Sequence, residues 1–355
     1  MLYSCTALPL KLDVFLPDLL VPREWLAGYP APALPALDWL LAQGEVTTTG
    51  AWPRPLLDAF GAPADVSLAA LSAEGEGLEP GDHGWLFAQP VHLRVDLDSV
   101  ALYPLTGQEI SLSESAALVV ELNRNFAGQG LLFDAPAAER WYVRVDRDQM
   151  PVTVPLRDAR RGRLFDHLPQ SRGSLSWQAV QNEVQMLLHS HPVNAHREMI
   201  GQSAVNGVWF WGEGDAPTRR QHGYQAVFGR APLLAGLAGR QAGEPVLQPA
   251  MAFADIAPDV ARAAWGIDAL QVAFIRNDVE AWTAALLQLE REVFMPLRAA
   301  LQGGRVRTLN LALPRQADSL MVALDAGRLE GAGGWWRRWR RPPRSWTSLQ
   351  QAADA

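Results

Sequence analysis

One cysteine, Cys5, in 355 residues leaves no partner for a disulfide and no thiolate cluster for zinc or iron–sulfur. Charge is also scarce: Asp, Glu, Lys and Arg make up 19% of the chain and sum to −7. Binding of nucleic acid through bulk charge is therefore not expected. No uninterrupted apolar run approaches the ~20 residues that cross a bilayer. Residues 1–10 carry no basic group ahead of their short apolar patch, so a cytoplasmic chain without a signal peptide is expected. No Gly-x-Ser-x-Gly elbow exists to seat a hydrolase serine. Histidine stops at His222, and no internal repeat is visible.

What is there is an ordinary globular mixture, 48% hydrophobic, and too long for one compact core. Residues 12–16 (LDVFL) read as a buried first strand stopped by Pro17. Residues 35–42 place Leu37, Leu40 and Leu41 at helical spacing behind Pro35. From 47 to 84 Gly, Pro and Ala abound without a period, which reads as loop and short helix. Residues 92–96 and 140–145 alternate as half-exposed strands. Residues 113–126 predict a helix capped by Ser113, with Ala117, Val120, Leu122 and Phe126 as its apolar side. A second helix is expected over 177–191, ended by Pro192.

Residues 205–214 read as an apolar strand running into a Gly-flanked turn, and 224–239 as strand then helix. The run 269–275 suits a parallel strand covered on both faces. A long helix over 278–301 and strands at 308–313 and 319–324 complete the pattern. Strands and helices alternating around a middle block predict an α/β core with an inserted α+β domain. Its parts are 1–83 and 203–328 for the core, 84–202 for the insert, and 329–355 as a basic Trp/Arg-rich tail.

Several motifs allow two readings. His189, His191 and His196 lie close together, with Glu183 and Glu198 as the nearby carboxylates, either as metal ligands or as caps at a helix end. Gly212-x-Gly214 follows a strand but lacks the third glycine of a dinucleotide fingerprint, so it shows a tight turn. Cys5 suits a small buried hydrophobe. In the tail, Trp335, Trp336, Trp339 and Trp346 interleave with arginines over residues 335–346. Such a segment can stack on bases or sit on an anionic surface, or pack its rings back on the domain with solvated Arg heads.

The order His191-Pro192-Val193-Asn194, Arg197-Glu198, Asn206, an apolar strand, Gly212-x-Gly214 and Pro217 resembles archaeal-type cofactor-independent phosphoglycerate mutase. A closer resemblance, over residues 85–243, is to the bacterial RpfE-type regulatory family, a divergent branch of the same superfamily. It rests on Trp85 to Leu93, Leu122 to Phe126, Arg140-Trp141-Tyr142 and Asn182 to His189. The resemblance implies an alkaline-phosphatase-like core. It also implies, for an active mutase, two divalent metals held by Asp and His and a phosphoryl-carrying Ser.

This sequence departs from that set. Asp18 is the single carboxylate after the first strand, residues 50–55 contain no nucleophile, and residues 274–280 and 311–316 contain no histidine. A non-catalytic protein with a regulatory or interaction role is therefore expected, with no metal and no cofactor. The alternative is a metal-dependent phosphomutase or phosphatase with a rearranged site. His92, Arg94, Arg140, His196 and Arg197 are the candidate ligand-binding set, for a small phosphorylated or carboxylic acid. The competing reading pairs these arginines with internal carboxylates such as Glu183, Glu198 or Asp146. A protein partner, and an anionic surface for the tail, are the other expected contacts.

Overall fold

The computed structural model describes residues 9–95, 100–159, 164–218, 222–239, 247–248, 252–330 and 345–351. In chain order the first elements are β1 (Leu10–Phe15), α1 (Pro35–Gln43), β2 (Glu45–Thr49) and α2 (Arg54–Ala59). A middle group follows with α3 (Leu68–Gly75), β3 (Gly84–Val95), β4 (Val100–Pro104), α4 (Leu112–Phe126), β5 (Leu132–Ala137) and β6 (Arg140–Val145). It ends with α5 (Leu156–Ala159), α6 (Trp177–His189), α7 (Pro192–Met199) and β7 (Gly207–Trp211). Next come β8 (Ala226–Phe228), α8 (Pro232–Ala238), β9 (Leu247–Gln248), β10 (Arg262–Gly266) and α9 (Gln271–Ile275). The last are α10 (Val279–Leu289), α11 (Met295–Gln302), β11 (Val306–Pro314), β12 (Ser319–Asp325), α12 (Ala326–Glu330) and α13 (Trp346–Gln351).

The chain forms two compact units, Met1–Ala64 with Arg220–Ala355, and Asp65–Arg219. The first is built on a seven-stranded sheet in the order β2-β12-β11-β1-β10-β8-β9. β1 lies parallel to both β10 and β11, while β12 and β2 run antiparallel at one edge. The register sets Leu12 against Ala263 and Leu309, and Val14 against Trp265 and Leu311. Alternation along each strand thus builds one continuous apolar face. Leu37, Leu40 and Leu41 of α1, Trp282 and Leu286 of α10, and Leu297 and Leu301 of α11 share one core with it.

Three expectations for this unit need correction. The strand lies at β10, and residues 271–275 are helix α9, in which Val272 is exposed. Both stretches are short and apolar, and neither is long enough to show its period. Residues 45–49, which overlap the start of the 47–84 stretch read as loop and short helix, form edge strand β2, where Val46 pairs with Val322 and Thr48 with Leu320. The core also draws on the stretch 329–355 read as a tail, because Trp346 and Leu349 of α13 are buried in it.

The second unit holds a five-stranded antiparallel sheet, β4-β3-β6-β5, with β7 also paired to β3. One apolar cluster joins Leu118 and Leu122 of α4, Trp177, Val180 and Val184 of α6, and Trp141, Val143 and Phe210 of the sheet. The unit takes in more chain than residues 84–202. α3 packs on β3, and β7 sets Trp211 opposite Phe87 and Val208 opposite Pro90.

Within it, Ser111 caps α4, not Ser113, through a capping box with Glu114. The cap thus lies two residues earlier, and Val120 is exposed while Leu118 and Val119 are buried. Pro192 does not merely end α6. It opens α7 at its first turn, where a missing N–H is harmless.

Candidate functional site

In an open α/β sheet, ligands collect outside the carboxyl ends of the parallel strands, where the strand order reverses. Here the chain passes from β10 across β1 to β11, so the ends of these three strands mark that place. After β1 comes Asp18, buried and left-handed at φ 62, a conformation that aspartate tolerates better than most residues. Its carbonyl accepts the Trp282 indole N–H at 2.8 Å. Asp268 follows β10, and its carbonyl accepts the Gln271 N–H at 3.0 Å to start the turn into α9. After β11, Arg315 clamps Asp318 through two 2.6 Å hydrogen bonds that close the hairpin to β12.

These donors do not fit a two-metal site. Among the described residues no group of three or more His, Cys, Asp or Glu is placed to hold a metal ion. Two cations that clamp an attacking and a leaving oxygen need more anionic or imidazole donors than one carboxylate per strand end.

The sheet face opposite the core carries a polar cluster that the sequence reading passed over. Asp13 of β1 accepts from the Tyr224 hydroxyl and from the Asn310 amide, each at 2.6 Å. The Arg262 guanidinium lies 4.7 Å from the centre of the Tyr224 ring, and Phe60 packs on Tyr224 and His222. Burial, then the charge and hydrogen bond of Asp13, push the Tyr224 hydroxyl far above its usual range and outweigh Arg262. The phenol therefore stays protonated and acts as a donor. The cluster ties β1, β11 and the start of β8 together, with both Asp13 oxygens engaged. Its signal was polar Asp13 and Asn310, each between apolar neighbours, which the register sets side by side.

Of the five residues singled out in the sequence, His92, Arg94, Arg140 and Arg197 have separate partners. His92 Nδ1 lies 2.9 Å from the Ala204 carbonyl, and Arg94 donates to the Tyr103 hydroxyl at 2.9 Å while lying over its ring. Arg140 forms ion pairs with Glu76 and, at 2.6 Å, with Glu139. Burial works against its charge, yet the hydrogen bond and charge of Glu76, together with Glu139, hold its pKa above the ordinary value. His196 is exposed on α7.

Arg197, 1% exposed, donates to the Ser203 carbonyl at 2.8 Å, the Glu109 carbonyl at 2.8 Å and Glu114 at 2.9 Å. No partner is shared among the five. The carboxylates that meet Arg140 and Arg197 are Glu76, Glu139 and Glu114, and Glu183 instead accepts from Asn125 at 2.7 Å.

The remaining motifs resolve into structural roles. His191 caps the start of α7 by accepting the Val193 N–H at 3.2 Å. Gly214 passes so close to another strand of backbone that a Cβ would lie 2.4 Å from the Asp65 carbonyl. Gly212 turns its carbonyl onto the start of α3, where Ser67 Oγ donates to it at 3.0 Å. Cys5, Arg219-Arg220 and residues 335–344 of the tail lie outside the described residues.

No family model matches the chain. In sequence it is 29% identical over 107 residues to the 2,3-bisphosphoglycerate-independent phosphoglycerate mutase of Methanothrix thermoacetophila. It is 32% identical over 76 residues to the probable 2,3-bisphosphoglycerate-independent phosphoglycerate mutase of Geobacter sulfurreducens. These stretches are 30% and 21% of this chain, and span 27% and 18% of the relatives' lengths. Among solved structures, the PH0037 protein from Pyrococcus horikoshii shares the fold, with TM-score 0.51 and 12% identity over 90% of this chain and 88% of that one. A cofactor-independent phosphoglycerate mutase from Thermoplasma acidophilum aligns over 90% of each chain at TM-score 0.41 and 14% identity. The chain is thus phosphoglycerate mutase-like in sequence kinship, with an α/β core and an inserted α+β unit.

Proposed function

We propose that this chain is a non-catalytic relative of the cofactor-independent phosphoglycerate mutases, with a regulatory or interaction role in the cytoplasm. Its affinity to the RpfE-type regulatory branch belongs to the same proposal. The observation that carries it is the donor set at the strand ends. Among the described residues Asp18 and Asp268 follow separate strands, and no third metal-binding side chain joins either. Phosphoryl transfer depends on positioning and on cationic stabilisation of the developing charge, and removal of most ligands removes that stabilisation. Asp18 is buried, and its main-chain carbonyl accepts the Trp282 indole N–H. Anion binding is no part of the proposal, since Arg140 and Arg197 already face internal carboxylates.

Metal content tests the reading without reference to activity. Protein purified from cells grown with manganese and zinc, then dialysed, should carry well under one equivalent of either by elemental analysis. About one or more equivalents per chain, retained through dialysis, would point instead to a rearranged metallophosphomutase or phosphatase.

A further inference from the structure

The edge of a sheet presents a row of unpaired N–H and C=O groups, and so a template for another strand. The second unit closes such places with side chains that imitate a strand. Asn123 of α4 accepts the Phe133 N–H of β5 at 2.7 Å and donates to the Phe133 carbonyl at 2.9 Å. Asn206 does the same for Leu93 of β3, at 2.7 and 2.8 Å.

β2, at one edge of the first unit's sheet, has no such cover. It pairs with β12 on one side, and among the described residues no main-chain group of Glu45–Thr49 bonds with anything else. Alternate residues of the strand therefore turn their N–H and C=O groups outward. Natural edges are commonly blunted by lysine, proline or a bulge, and Glu-Val-Thr-Thr-Thr, paired without a register shift, has none of these. Its four β-branched residues favour the extended chain, and Thr47 and Thr48 are exposed.

The strand is complementary to itself. Two copies laid antiparallel about Thr47 set Thr47 against Thr47, Val46 against Thr48 and Glu45 against Thr49. Opposed threonines pair favourably, and no like charges meet. The two Glu45 residues stand about 14 Å apart along the strand at the usual antiparallel rise. Each carboxylate keeps Arg328 of its own chain at 3.5 Å. A twofold axis uses up the edge, so association stops at two.

We propose that β2 is a dimerisation edge, on which a second copy of this chain adds its own β2 antiparallel about Thr47 and joins two seven-stranded sheets into one. About four to six main-chain hydrogen bonds over so short a strand give a weak, concentration-dependent dimer. The proposal goes beyond the non-catalytic reading and does not depend on it.

Sedimentation velocity of the full chain, from low to high micromolar concentration, should show a monomer–dimer equilibrium and no larger species. Thr47→Lys sets lysine against lysine and should weaken the dimer about fivefold. Thr47→Glu should do the same, and an equimolar mixture of the two variants, which sets Lys against Glu, should dimerise more tightly than either alone. Because Thr47 is exposed, circular dichroism and thermal midpoint should match the wild type. A chain that stays monomeric throughout overturns the proposal. So does a dimer equally tight in the wild type, both variants and their mixture, since its contact then lies away from β2.

Discussion

Arg197 illustrates how a charge is accommodated inside this protein. It is buried, yet its donors meet two carbonyls and the Glu114 carboxylate, so it is satisfied within the fold. Arg197→Ala would strand Glu114 and both carbonyls, and should destabilise the second unit by about 3 kcal/mol, measurable as a lowered urea midpoint. Glu114 adds a pH dependence. Burial raises its carboxyl, but hydrogen bonds from Ser111 and Arg197 outweigh this and hold it below the usual carboxylate value. Its stabilisation is therefore complete above the unfolded-chain value near 4.5 and is lost as pH falls through the lower folded value. The stability gap between wild type and Glu114→Gln should be constant at neutral pH and close in that acid window. A gap that widens on acidification would refute the assignment.

At this scale the sequence showed which residues were polar, and not what faced them. Arg140 and Arg197 were visible as basic groups in the inserted unit, but Glu76 and Glu114 reach them from 64 and 83 residues away. Asp13, which accepts from Tyr224 and Asn310, was hidden in a strand pattern, while Asp18 stood out as the single carboxylate after the first strand, where the resemblance implies a metal ligand.

Among the elements, α1 depends on a distant residue for its start. Leu34 offers no side-chain cap, and the buried Glu290 carboxylate instead accepts the N–H groups of Ala36 at 2.6 Å and Leu37 at 3.2 Å. Glu290 opens the π-helical turn Glu290–Phe294 that joins α10 to α11, so one side chain couples two layers of the core. Glu290→Ala should cost about 2 kcal/mol, and Glu290→Gln less, because the amide oxygen still accepts one N–H. Equal stability of wild type and Glu290→Ala in denaturant would show that water caps α1 equally well. Gly214 is a second such point, since Gly214→Ala would drive a Cβ into the Asp65–Ser67 backbone at φ 154 and should lower the thermal midpoint.

Elements long enough to repeat their period were legible: α1, α6, and the helix that Asp278 caps by accepting the Ala281 N–H at 2.9 Å. Short apolar runs were not, because β10 and α9 differ in neighbours and hardly in composition. The α4 cap was misplaced because Ser111 and Ser113 are chemically alike, and Glu114 three residues on singles out Ser111.

For the whole molecule, alternation of strands and helices around a middle block was enough to read an α/β core with an inserted α+β unit. The limits of the insert were less legible, because β7 joins β3 by pairing across a long sequence separation that local pattern does not encode. The absence of a histidine after His222 was plain in the sequence. The structure adds that, among the described residues, no group of three or more His, Cys, Asp or Glu is placed to hold a metal ion, and that the Asp18 carbonyl accepts the Trp282 indole N–H.

Isomerisation of 3-phosphoglycerate is the most direct check on the non-catalytic reading. Purified full-length chain and its Asp18→Asn variant are each incubated with 3-phosphoglycerate and manganese, quenched, chelated, and read by phosphorus NMR. The account predicts no 2-phosphoglycerate and no free phosphate above a protein-free control from either. Turnover by the wild type that Asp18→Asn abolishes would contradict it and make Asp18 a working metal ligand.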